Sequence, residues 1–331
     1  MRLADAAKPV FARHETFHPR YGWFRKAFEA ASHSSEIFSA PNATVELGVG
    51  KNMVKSIRFW GMAAKLIQDH PDPLRKRAPG VTPTPFGELL FGPEKGWDPY
   101  MEDPATLWLL HWKLLAPRCY LPVWWVAFNE FNTVEFDVEE LELACAGKIG
   151  AAAGWEPPHL SSLRKDVNVL LRTYAPAERT ARSSIDDLLD CPLRELGLIG
   201  RSPATGKHRF VLGVKASLPP AVVAYAILDF VAQVEPRAKT VLLSRMADEP
   251  GAPGRAFRLS ETELADALAP AVNLLADGQL TLTSPAGVAQ LAWKSNPSEL
   301  ARNILTEYYV PGFDSTSAPF DELQTTIGVF T

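Results

Sequence analysis

Residues 48–67 read GVGKNMVKSIRFWGMAAKLI, and the periodicity of this run decides what the front of the chain becomes. From about Asn52 the apolar residues Met53, Ile57, Trp60, Ala64 and Ile67 recur at spacings of 4, 3, 4 and 3, which lines one face of an α-helix. Lys51, Lys55, Arg58 and Lys65 fall on the opposite face, with Asn52 beside them at the helix start. Upstream, YGWFRKAFEAASHS at 21–34 predicts a first core helix with Trp23, Phe24, Ala27, Phe28 and Ala31 on one side. After a loop at Pro41 and Asn42, TVELG predicts a short helix, and Gly48 and Gly50 a tight turn. Short helix, turn and basic second helix make a helix-turn-helix pattern. VTPTPFGELLFG at 81–92 supplies an extended stretch and a final turn, as a wing would. A charged helix face is ordinarily just solvated; stripe, turn and wing together favour duplex DNA as the ligand. Residues 20–92 are therefore expected to form a DNA-binding winged helix-turn-helix.

Downstream, TLWLLHWKLL, PVWWVAFNEF, DVEELELACAGKIG and SSLRKDVNVLLRTYA predict four helices between 100 and 200, with Trp108, Trp112, Trp124 and Trp125 as core. The fourth presents Arg164, Lys165 and Arg172 outward with Ser161 or Ser162 as N-cap, and its Arg164 and Lys165 are added to the candidate DNA contacts. Gly206 is expected to turn a hairpin, helices to span 219–234 and 238–248, and Ser260 with Glu263 to form a capping box. QLTLTSPAGVAQLAW at 279–293 is strand-like. The expected fold class is mainly α and multi-module: an N-terminal arm plus winged helix-turn-helix at 1–95, a helical domain at 96–215, and a helical, winged-helix-like interaction module at 216–331, with small β wings.

The 331 residues suffice for two or three domains, and 47% hydrophobic content gives each a core. Cys119, Cys145 and Cys191 form neither a C-x-x-C pair nor a disulfide ladder, which points away from structural zinc and secretion and towards a reducing cytoplasm. No signal-like segment opens the chain, and no run of about 18 apolar residues is present to span a bilayer. The net charge of −4 hides its distribution. Between Arg13 and Arg77 eleven Lys or Arg stand against six Asp or Glu, whereas Glu130 to Glu142 holds six acids and no base.

Two motifs fail on inspection. HETFH at 14–18 matches the zinc-protease pattern H-E-x-x-H, but Pro19 follows at once and no third ligand sits at a typical distance. GVGKN resembles the end of a P-loop, but Val45 stands where glycine is needed and Asn52 where a hydroxyl is needed, so no nucleotide site is recognised. Arg13, His14, Glu15 and Arg20 crowd among Phe11, Phe17 and Trp23 ahead of the first helix. Such a cluster can clamp a phosphate and shift acidities, or it can be an N-terminal arm pinned by aromatics.

His14-Glu15-Thr16-Phe17, then Arg20, Trp23 and Lys26, then Leu47 to Val54 and Ile57-Arg58-Phe59-Trp60, together resemble a bacterial family of formerly unknown function associated with DNA phosphorothioation, the SspB-like DNA nickase components. The likeness continues through DCPLRELGLI at 190–199, GRAFRLSE at 254–261 and EYY at 307–309. The resemblance implies a phosphodiester hydrolase that nicks one strand of duplex DNA in an antiphage defence system. It implies as partners a cysteine desulfurase, an ATP-using sulfurtransferase-like protein and an ATPase, with no membrane involved. Cleavage needs an activated water and stabilised phosphoryl charge, which Mg2+ or Mn2+ supplies. His14, Glu15 and Arg20 are the candidate catalytic residues; no metal ligands are assigned. The competing reading is a non-enzymatic DNA-binding adaptor or transcriptional regulator of the same machinery.

Overall fold

The structure is a computed structural model that describes residues 1–70, 80–177, 191–275 and 278–311. After a single turn of helix, α1 (Leu3–Ala6), an irregular arm leads to α2 (Trp23–His33), which buries Trp23, Phe24, Ala27, Phe28 and Ala31 as the periodicity predicts. α3 (Ala43–Glu46) is followed by Gly48 at φ +62°, a left-handed turn that glycine adopts without strain. α4 (Lys51–Ala63) then packs across α2. The two helices meet at Gly61, where a Cβ would stand 2.6 Å from that of Ala27, so the crossing requires glycine.

α4 is shorter than the apolar period predicts. Lys65 turns left-handed at φ +59° and Ile67 opens strand β1 (Ile67–His70) instead of continuing the helix. β1 pairs antiparallel with β2 (Gly80–Pro83), Ile67 opposite Pro83. The segment expected as a final turn is a helix, α5 (Pro85–Phe91): Thr84 caps it by accepting from the Gly87 N–H, and Pro85 occupies a first-turn position where a missing N–H costs nothing.

All but the first residue of α6 (Pro104–Leu115) is buried, and α7 (Pro122–Trp125) runs into a π-helical turn, Val126–Glu130. Strand β3 (Glu135–Phe136) precedes α8 (Val138–Gly150), which opens on a capping box between Asp137 and Glu140. α9 (Leu160–Tyr174) starts after His159, with no side-chain cap, so Ser161 and Ser162 lie inside the helix and not at its N-cap. Gly206 turns the hairpin of β4 (Ile199–Arg201) and β5 (His208–Phe210), and β3 joins the other side of β5. A helix at Pro220–Val234 follows as expected, but 238–248 divides into strand β6 (Thr240–Leu242) and a short helix, Leu243–Asp248. The Ser260 and Glu263 capping box forms. β7 (Leu280–Thr283) and β8 (Gln290–Trp293) complete a sheet of order β6-β8-β7, and helix Pro297–Tyr309 packs along Pro220–Val234. No helix among the described residues is long and apolar enough to cross a membrane. Cys119, Cys145 and Cys191 are free and buried.

One hydrophobic cluster runs from Leu3 to Leu305 and holds Trp60, Trp108, Trp112, Trp124 and Trp125 together. Trp60 sits edge-on to Phe59 (5.5 Å between ring centroids) and Trp124 (6.0 Å), so the helix read first from the sequence is welded to α7. Its indole N–H donates to the Phe17 carbonyl at 3.1 Å. Trp60→Ala is expected to cost about 3–5 kcal/mol in chemical denaturation. A variant melting within a degree of the parent would contradict this account of the core.

Candidate nucleic-acid interface

The arm ahead of α2 is sharply contorted. Ala12, Glu15 and Thr16 all take left-handed backbone conformations, at φ +54°, +51° and +67°, which non-glycine residues hold only when their surroundings impose it. Four bonds do so. Asp166 of α9 accepts from the Ala12 N–H at 2.9 Å and from His14 Nε2 at 2.7 Å. The Thr16 N–H donates to His14 Nδ1 at 3.1 Å, and Ser56 of α4 donates its hydroxyl to the His14 carbonyl at 3.1 Å. Because the Nδ1 lone pair accepts that hydrogen bond, Nδ1 carries no proton and the ring proton lies on Nε2, directed at Asp166. Arg172 of α9 adds a bond to the Thr16 carbonyl. The arm therefore stitches α4 to α9.

His14 is 1% exposed, stacks on Trp60 with ring centroids 6.3 Å apart and uses both ring nitrogens inside the fold. Glu15, next to it, stays partly exposed and pairs with Lys55 at 3.2 Å. Arg20 rests over Trp23, its guanidinium carbon 5.7 Å from the ring centroid. On α4, Lys51, Asn52 and Lys55 are exposed and Arg58 is half-buried, paired with Asp69 at 2.6 Å. On α9, Lys165, Asn168 and Arg172 are exposed at spacings of three and four, so they share a face. Arg164 turns instead to α8, 2.7 Å from Glu142 and 3.8 Å from Glu139. Asp166 and Ser56 escaped the sequence reading. The signal for Asp166 was a carboxylate in register with the buried Leu163, Val167 and Leu170.

Lys65 is not part of the outer face. It lies beyond the end of α4, where its left-handed backbone turns the side chain inward, and its ammonium donates to the carbonyls of Lys113 and Ala116, both at 2.8 Å. It thereby caps the C-terminus of α6. Burial, reinforced by the nearby Lys113 charge, pulls its pKa down to about 7. Between that value and the ordinary lysine value of 10.5 the unfolded chain binds more protons than the folded one, so stability rises with pH across this window. Measured by denaturation, the parent is expected to gain about 1–2 kcal/mol relative to Lys65→Met between about pH 7 and pH 9. Parallel pH profiles would show that Lys65 is not held in this way. Asp166→Ala, which strands the His14 Nε2–H and the Ala12 N–H, is expected to cost about 2–5 kcal/mol. Added to His14→Ala it should cost much less, because the pair is already broken.

A mainly helical protein with a basic helical face is thus the class that fold and surface define. The chain belongs to the family described as protein of unknown function DUF4007, whose model matches residues 11–309. It is similar to a crystal structure of magnesium ion-bound SspB, at 39% identity and a TM-score of 0.86, over 95% of this chain and 93% of that one. It is likewise similar to another SspB crystal structure, at 37% identity and a TM-score of 0.87, over 98% of this chain and 97% of that one. No curated protein matches it. The likeness read from the arm and α4 to an SspB-like family is thereby shown.

Proposed function

We propose that the protein is the DNA-binding, single-strand-nicking component of a bacterial DNA phosphorothioation system used in antiphage defence. The observation that carries this reading is the pair of basic helix faces, Lys51, Asn52, Lys55 and Arg58 on α4 and Lys165 and Arg172 on α9, tied together through the arm. The similarity to SspB over nearly the whole chain supports it. The order α2, α3, Gly48 turn, α4 and the antiparallel pair β1–β2 is the support for reading this segment as a winged helix-turn-helix, with α4 as the helix that would dock on duplex DNA. Units 1–95, 96–215 and 216–331 are the proposed division, the last facing the desulfurase, sulfurtransferase-like and ATPase partners.

Among the described residues no group of three or more His, Cys, Asp or Glu forms a cage for a metal ion. Mg2+ does not need one, since it is commonly held by one or two carboxylates together with substrate phosphates. Glu15, partly exposed beside Lys55, fits that role, and the ion would then supply Lewis-acid stabilisation of the phosphoryl oxygens. In this reading Glu15 orients the attacking water, Lys55 and Arg20 hold the scissile phosphate, and His14 is a positioning residue that fixes the backbone bearing Glu15. One observation favours the adaptor reading instead: His14, the residue best suited to move a proton at neutral pH, has both ring nitrogens committed within the fold.

A supercoiled plasmid separates the two readings, because one nick relaxes it. The parent is expected to relax the plasmid with Mg2+ or Mn2+, and Glu15→Gln to lose that activity while keeping DNA affinity and melting temperature. If the parent, with its partner proteins present, relaxes nothing under either metal, the adaptor reading stands in its place. For binding itself, the Lys51→Glu, Lys55→Glu double variant should lose about ten-fold or more in affinity. Its slope of log affinity against log salt should become shallower by about two. Unchanged affinity and slope would move the DNA surface off α4.

A further inference from the structure

We propose that Arg258 and Lys215 form a binding site for a phosphoryl group, lying outside the α4 and α9 faces and independent of the nicking reading. Arg258 follows the short helix Pro253–Phe257 in a left-handed conformation, φ +58°. That conformation turns a charged side chain into the interior, where only 9% of it is exposed. The guanidinium carbon lies 3.7 Å from the centroid of the Phe210 ring and 5.2 Å from that of Phe128. Nη2 donates to the Ala127 carbonyl of the π-helical turn at 2.8 Å. Nε is buried and has no hydrogen-bond partner, and no carboxylate among the described residues pairs with the group.

The charges around it are of the same sign. Lys215 donates to the carbonyls of Gly213 and, at 3.1 Å, of Phe257, the residue before Arg258, while the Gly213 N–H donates to the Arg258 carbonyl at 3.0 Å. Arg255 lies one helical turn back. Burial and the Arg255 charge disfavour the charged form of Arg258, and burial, with Arg258 itself adding to it, draws Lys215 down to about 8. Glu263 acts on Lys215 in the opposite sense; its Oε2 is engaged by the Ser260 N–H at 2.7 Å and the Ser260 hydroxyl at 2.8 Å, while its Oε1 lies towards Gly213.

Arginine is almost never fully buried without an acidic partner, and Arg258 has two ring faces and one carbonyl against it but leaves its Nε–H unmatched. Arg255 is engaged by the Asp248 carbonyl and by Asn132 Oδ1, both at 3.0 Å, which leaves two cations, Arg258 and Lys215, and a net positive charge suited to a phosphoryl group. A guanidinium fork beside a lysine point charge is the donor set that phosphate takes.

The test uses the full chain, with inorganic phosphate as one probe and a 5′-phosphorylated oligonucleotide, compared with its hydroxyl-ended counterpart, as the other. Phosphate should raise the parent's melting temperature saturably by about 2 °C or more over chloride at equal ionic strength. Calorimetric affinity should fall about ten-fold or more in Lys215→Gln, with its ligand-free melting temperature measured alongside to show that the fold is kept. If the source is a DNA end, the phosphorylated oligonucleotide binds tighter than the hydroxyl-ended one and Lys215→Gln abolishes the difference. If it is free phosphate, the two oligonucleotides bind alike. The proposal is overturned if the parent shows no saturable binding of either phosphate probe, or if Lys215→Gln binds as the parent does. In that case Arg258 serves only to pin the π-helical turn, and Arg258→Gln loses stability without any ligand being involved. Should Arg258→Gln fail to fold, Lys215→Gln alone decides.

Discussion

The hydrogen bond from His14 Nε2 to Asp166 Oδ1, 2.7 Å long and buried, fixes how the arm and the two basic helices meet. A carboxylate taken out of water costs several kcal/mol unless it is paired, and Asp166, at 3% exposure, receives two donors, both from the arm. The arm cannot move away from α9 without stranding that carboxylate. Three left-handed residues between Ala12 and Thr16 are tolerable for the same reason. Each costs about 1–3 kcal/mol and persists because Asp166, Ser56 and Arg172 together over-determine the path of the chain. Ser56 and Lys55 are adjacent on α4, so the anchor that holds the His14 carbonyl also sets Lys55 beside Glu15.

What was legible in the sequence was what is decided locally. Apolar spacing located α2 and the buried face of α4, and the Ser260 and Glu263 pair announced its helix start, because these features depend on residues within a turn or two. The end of α4 was misjudged because Lys65 and Ile67 keep the helical period beyond the point where the chain leaves the helix. The position of Lys65 is settled by the carbonyls of Lys113 and Ala116 at the end of α6, 48 and 51 residues away. His14 and Asp166 are separated by 152 residues, and no local pattern pairs them. The π-helical turn at Val126–Glu130 was likewise hidden, since its residues fit an ordinary helix equally well.

Charge is organised more sharply than a net value of −4 suggests. The acidic stretch at 130–142 is largely answered within the fold: Glu130 by Lys148, Asp137 and Glu140 by Lys207, Glu139 and Glu142 by Arg164. It therefore does not repel a polyanion from α9 as strongly as its composition implies. On α4 the pairs are of another kind. Lys55 with Glu15 and Arg58 with Asp69 are partly solvated contacts, and such pairs contribute about 0–1 kcal/mol. A phosphate presenting several oxygens competes readily with a carboxylate held so weakly.

That difference bears on how the neighbours His14 and Glu15 divide their roles. A group that exchanges protons with substrate must be reached by it, and His14 lies under the arm with both nitrogens occupied. Glu15 has the opposite circumstances: a partly exposed side chain, one weak partner, and a backbone forced into a strained conformation by the buried residue before it. Strain of this kind collects where a side chain has to be aimed. The buried His14–Asp166 bond fixes the backbone on which Glu15 sits, so the buried member of the pair determines the geometry from which the partly exposed one leaves the arm.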